Sequence, residues 1–434
     1  VSAVWCEHAW LPGGVRRGVR IAFDAGVITS VEPDAPREAT VLAGLTVPGF
    51  ANGHSHAFHR ALRGRTHHGR GTFWTWRKRM YSLATRLDPD SYRRLARGVY
   101  AEMALAGYTS VGEFHYLHHA PGGRRYQDPN AMSAALADAA ADAGIRLSLL
   151  DTCYLVGGFD AELGEHQLRF GDGDAESWAQ RVSAFRPPGE QVRVGAAVHS
   201  VRAVPAGQLP TVASWARGRP LHVHLSEQRA ENVDCLRHHG RTPATVLAEG
   251  GVLGPRTVAV HATHLTEGDI GLLSRTGTRA CFCPTTERDL GDGIGPARRL
   301  ADAGVRLCLG SDSNATIDAV EEARALELDE RLAGQERGSF TTAELMAAAT
   351  DHAALGWDGL GELTAGGGAD LVTLDLASVR TAGIEPGGAV FAASAADVRN
   401  VLVAGRWIVL DRVHQLIERP AAVLGEEIRA LWQQ

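Results

Sequence analysis

Lysine is almost missing from this chain: 434 residues contain one, Lys78, and arginine supplies the rest of the basic charge. Nor is basic charge in surplus. The formal net charge is −6, which argues against nucleic acid as a partner, because a polyanion selects a basic face. The Arg-aromatic crowding from Arg65 to Arg79 imitates a nucleic-acid patch, but the overall acidity speaks against that reading. No apolar run approaches the roughly eighteen residues a membrane span requires, and the first residues lack a basic-then-apolar leader pattern. A cytoplasmic protein with no membrane partner is the expectation. Cysteine is sparse too: Cys6, Cys153, Cys235, Cys281, Cys283 and Cys308 are spread too thinly for a disulfide framework. Cys281-Phe-Cys283 resembles half a metal site, yet alternation along an apolar strand puts both thiols on one face and favours a core role.

What is present is a short β-rich apolar run, repeated, that ends in chemically capable residues. The runs are Thr46–His56, Thr109–Tyr116, Arg146–Tyr154, Arg193–Ser200, Pro220–Glu227, Thr257–His264, Thr278–Thr286 and Val305–Ser313. Between most of them lie Ala/Leu/Arg/Glu stretches of helical period, such as AMSAALADAAADAGI from Ala131 to Ile145. Eight strand–helix alternations predict an α/β fold of the parallel (β/α)8 TIM type, whose chemistry sits at the C-terminal ends of the strands. An open doubly wound sheet is the alternative, but no G-x-G-x-x-G turn follows an early strand. The ends of the chain read differently. VRIAFDAGVITSVEPDA near the start is a hairpin pattern around Asp-Ala-Gly, and ADLVTLDL and NVLVAGRWIVLD near the end are again short strands. Neither end can bury a core alone. The expectation is a small β-sandwich domain assembled from residues 1–47 and 365–434, flanking a barrel over 48–364. Gly366, Gly367 and Gly368 would form the flexible join, and an amphipathic helix would follow from Arg419.

The stretch PGFANGHSHAFHRALRG carries His54, His56 and His59. Positions i and i+2 of an extended segment share a face, so His54 and His56 can reach one ion. H-x-H alone carries little. Three further strand ends add compatible groups: His222 and His224, His261 and His264, and Asp312. Imidazole with carboxylate suits a borderline divalent ion such as zinc, with iron the other candidate.

The set PGFANGHSH, HLSE, HATH, GSDS and GGGADLVTLD resembles the amidohydrolase superfamily in its mononuclear deaminase branch, over nearly the whole chain. More narrowly, FWTWRKRMY, GYTSVGEFHYLHH, HSVRAV and LGDGI are similar to the N-formimino-L-glutamate deiminases of histidine degradation. The resemblance implies one divalent metal on His54, His56, His224 and Asp312, with His222 deeper and structural. Binuclear relatives bridge two metals with a lysine on a middle strand, a place Lys78 does not occupy. Asp312 would also accept a proton from the metal-activated water, His261 would orient that water, and Glu227 would shuttle protons. Arg77 and Arg202 would bind the two substrate carboxylates, with His59, Tyr116 and His199 as further contacts. The implied reaction converts N-formimino-L-glutamate to N-formyl-L-glutamate and ammonia, in a homodimer. The alternative is a mononuclear deaminase of another amidine, guanidine or purine-like ring, which would place apolar or amide groups where the arginines stand. Two departures matter: His59 stands where the family carries glutamine, and Asn314 where it tends to carry histidine.

Overall fold

The computed structural model describes residues 2–37, 40–67 and 71–433. Eight parallel strands form the expected barrel in sequence order: β5 (Phe50–Ser55), β6 (Tyr108–His115), β7 (Arg146–Cys153), β8 (Val192–Val198), β9 (Leu221–Leu225), β10 (Thr257–His261), β11 (Arg279–Phe282) and β12 (Leu307–Leu309). Helices cover its outside. The predicted helix is there as Ala131–Ala143, and Gly144 ends it at φ 76°, a left-handed conformation that glycine adopts without strain.

Between β5 and β12 the seam is held by backbone bonds at the rim. There the His56 amide donates to the Asp312 carbonyl and the Asp312 amide to the His54 carbonyl, both at 2.9 Å. Gly310 makes this approach possible, because a Cβ on it would lie 2.8 Å from the Cβ, N and O atoms of His54.

Strands β1 (Ser2–Leu11), β2 (Gly14–Asp24), β3 (Val27–Glu32) and β4 (Thr40–Pro48) join β13 (Leu371–Leu374), β14 (Val398–Val403), β15 (Arg406–Leu410) and β16 (Val413–His414) in one mixed sheet. Its order is β16-β15-β14-β13-β4-β1-β2-β3, so both chain ends build it, as expected. Val4, Cys6, Ile21 and Phe23 from its N-terminal strands share one apolar cluster with Leu371 and Leu402 from its C-terminal strands. The glycine-rich join is not a loose tether: Gly366 donates to Ile28 and Ile28 to Gly367, which lays the join along β3. The last helix, Pro420–Gln433, leaves this sheet and packs on the barrel helix Pro89–Leu105. Arg94 bonds Glu427 at 2.6 Å there, and the Trp432 indole reaches the Ala61 carbonyl.

Candidate metal centre and substrate cavity

His54, His56, His224 and Asp312 come from three strand ends, and one candidate ligand atom from each lies within 4.8 Å of the others. His54 Nε2 is 3.1 Å from His224 Nε2 and 3.2 Å from Asp312 Oδ1, and His56 Nε2 is 3.3 Å from the same oxygen. All four side chains are buried. The outer nitrogens explain the geometry. His56 Nδ1 meets the Phe114 carbonyl at 2.9 Å and His224 Nδ1 the His199 carbonyl at 3.1 Å. A carbonyl only accepts, so both rings carry their hydrogen on Nδ1 and present a bare Nε2. Burial, reinforced by the neighbouring imidazoles, holds His224 well below the ordinary histidine range, and burial takes His54 down to about 3. For Asp312, burial opposes ionisation, but the hydrogen bond from His54 and the surrounding imidazoles outweigh it and keep the carboxylate charged. Lone pairs and a carboxylate oxygen converging out of water repel one another. A divalent cation relieves that repulsion, and this donor set fits one.

The backbone that presents these groups is unusual. Ser226, His261, Ala262, Asp312 and Asn314 all have positive φ, between 39° and 69°, where the chain leaves β9, β10 and β12. Side-chain-bearing residues adopt that region at a cost of order 1 kcal/mol or more each, and such residues cluster where a site demands a particular direction. Asn314 suits it. Its amide donates to the His56 carbonyl at 3.0 Å and to Ser55 Oγ at 3.2 Å, so the residue replacing the family histidine ties the ligand turn to the last strand.

Behind the four stand Glu227 and His261. Burial raises the Glu227 carboxyl to about 7. It lies 3.9 Å from His261 Nε2, while His261 Nδ1 is 3.2 Å from Glu287 Oε1. Against the effect of burial, Glu227, the Glu287 bond and Asp312 raise His261 to about 10. His264 turns away to the Asp292 carbonyl, and His222 bonds the Ala354 carbonyl deeper in the barrel.

A cavity opens on this centre, and every expected substrate contact lines it: His59, Arg77, Tyr116, His199 and Arg202. Arg77 lies on the helix Phe73–Ala84, with its Nε on the Tyr81 hydroxyl and its guanidinium over the rings of Trp74 and Tyr81. Arg202 Nε is held by Glu231 at 2.7 Å, and the other Glu231 oxygen accepts from the Ser226 amide. His59 Nε2 is 3.0 Å from the Tyr116 hydroxyl.

Sequence reading missed Glu231 and Glu287, which sit on helices with no distinguishing pattern. Tyr154 also lines the cavity and was visible, as the last residue of a strand run. His118 and His119 lie in the loop after β6 but are buried, and His118 joins His115 and Asp151 in a second group of potential ligands. That group already holds a cation. The Arg181 guanidinium bonds both Asp151 oxygens, at 2.9 and 2.8 Å, and Asp172 as well. Cys281, Cys283 and Cys308 are free and buried together with Val258 and Val260.

Comparison with known proteins matches residues 45–408 to the amidohydrolase family. A formimidoylglutamate deiminase of Pseudomonas aeruginosa is 39% identical, across 98% of this chain and 99% of its own. Among solved structures, an amidohydrolase from Brucella melitensis superposes with a TM-score of 0.92 at 32% identity, covering both chains fully. An adenosine deaminase from Xanthomonas campestris with bound zinc superposes at 0.84 with 22% identity, covering 99% of this chain and 97% of that one.

Proposed function

The chain belongs to the amidohydrolase family, and from that premise we propose that it hydrolyses N-formimino-L-glutamate to N-formyl-L-glutamate and ammonia. The observation that carries this reading is the pair of guanidiniums, Arg77 and Arg202, on the wall of the cavity that opens on the His/His/His/Asp group. Two fixed cations suit a small molecule with two carboxylates and would be misplaced around a purine-like ring. The 39% identity to a formimidoylglutamate deiminase supports the same substrate.

His54, His56, His224 and Asp312 would hold one divalent ion, zinc by the donor set, and the bound ion supplies an acidified water near neutral pH. The remaining work falls to the chain. Arg77 and Arg202 bind the carboxylates and thereby fix the formimino carbon over the centre. Asp312 accepts a proton as water adds to that carbon. Glu227, whose carboxyl burial raises so that it holds a proton more readily, delivers a proton to the imino nitrogen. His261, held by Glu287, donates toward the oxygen that becomes the formyl group. Asp312 passes its proton to the same nitrogen and the new hydroxyl returns one to Glu227 as the carbon–nitrogen bond breaks, so that ammonia leaves and the formyl C=O forms.

The test is ammonia release from N-formimino-L-glutamate, its aspartate homologue and guanine, with wild type and Arg202→Ala. Preference for the glutamate compound is expected, with kcat/KM reduced at least about tenfold, or about 1.4 kcal/mol, in the variant. Ammonia from guanine alone would replace this reading with a purine deaminase.

A further inference from the structure

The two cavity arginines are not equivalent. Each spends Nε on the protein and lines the cavity, but Arg202 pairs with a carboxylate, Glu231, whereas Arg77 meets the Tyr81 hydroxyl and the rings of Trp74 and Tyr81, all neutral. Among the described residues no ion pair to Arg77 is found, so its charge stays available to a ligand.

Around Arg77 the hydrogen-bond count does not close. The Tyr81 oxygen accepts from Arg77 Nε and from Gln167 Nε2, the latter at 3.2 Å. Gln167 Nε2 also donates to the Tyr154 oxygen at 2.7 Å, and Gln167 Oε1 is occupied by the Gly164 amide. Gln167 thus meets both phenols as a donor, and its Oε1 is found accepting from neither. Neither phenol is found donating its hydrogen to any of the described residues, and both rings stand on the cavity wall.

We infer that Tyr81 and Tyr154, fixed by Gln167, complete with Arg77 a subsite that recognises one substrate carboxylate. An anion there accepts from a phenol hydroxyl and the guanidinium together, and a carboxamide in its place offers its own hydrogens to a wall that needs acceptors. Tyr81 and Tyr154 are thus specificity residues, and Gln167 positions them. This rests on the dicarboxylate reading above.

The experiment measures kcat and KM for N-formimino-L-glutamate and for its two monoamides in wild type, Tyr81→Phe, Tyr154→Phe and Gln167→Leu, each checked for an unchanged melting temperature. In at least one Phe variant KM should rise about tenfold or more, with kcat falling much less. The preference for the diacid over one of the monoamides should fall by a similar factor, and Gln167→Leu should reproduce the loss. Diacid-to-amide ratios within about twofold of wild type in both Phe variants would overturn the subsite. Should wild type release no ammonia from formiminoglutamate, the reaction assigned above fails instead. The subsite is then judged by calorimetric binding of glutarate: weakening of about tenfold in a Phe variant supports it, and equal affinity in all variants overturns it.

Discussion

The barrel contains two buried clusters of histidine and aspartate that a residue count would hardly separate: His54, His56, His224 and Asp312 at one place, His115, His118 and Asp151 at another. Their surroundings are opposite. In the first, His56 and His224 present bare Nε2 atoms, and among the described residues no arginine or lysine pairs with Asp312. In the second, Arg181 forks onto Asp151 and reaches Asp172, while Trp178 adds a bond to Asp151 at 3.0 Å. A metal ion would have to displace a guanidinium already bonded to its carboxylate. Residue type nominates a metal site; what neutralises the carboxylate decides it.

The largest contrast should come from removing a ligand. His224→Ala or Asp312→Asn is expected to lose bound metal and at least about a thousandfold in kcat/KM, about 4 kcal/mol. His118→Ala should keep one metal per chain by elemental analysis, and metal loss there would erase the distinction. Next in size is Arg181→Ala, which strands Asp151 and Asp172 and should lower unfolding stability by about 3–5 kcal/mol in denaturant titration, with metal content intact. Chelation should do the reverse. A metal present at about a hundred times its dissociation constant contributes about 2.7 kcal/mol, so stripping it should lower the melting temperature of wild type and leave that of His224→Ala unmoved.

The smallest effect is on pH. Burial, then the Arg181 charge, depresses His118 from 6.5 to about 4. A depressed group leaves stability intact above the unfolded value, and the stability is lost as the unfolded chain takes up its proton between about 6.5 and 4. Replacing His118 with glutamine should flatten that part of the stability profile, measured by denaturant midpoints across the range.

Much of the first cluster was legible in the sequence because strand ends can be recognised one at a time, and the fold rule then brings them to one rim. H-x-H, HLSE and GSDS each announce themselves locally. The barrel and the sheet shared by both chain ends followed from period and turn chemistry for the same reason. Glu231, Glu287 and Gln167 were illegible, since their meaning lies in a single partner contributed by another element. Asn314 was seen only as a departure, and its donation to His56 needed three dimensions. The burial of His118 and His119 was equally hidden: a loop after a strand ordinarily faces water, and only the Arg169 carbonyl, which accepts from both of their amides, shows this one folded inward.

The rim bonds between β5 and β12 make the ion a clasp. Asn314 and His56 are 258 residues apart in the chain, yet they touch where the first and last barrel strands meet. The ligands therefore cannot be gathered until the whole ring has been synthesised and brought round, and an ion that seizes them locks the circle shut. Metal uptake during refolding would accordingly report completion of the barrel rather than any early stage of its assembly.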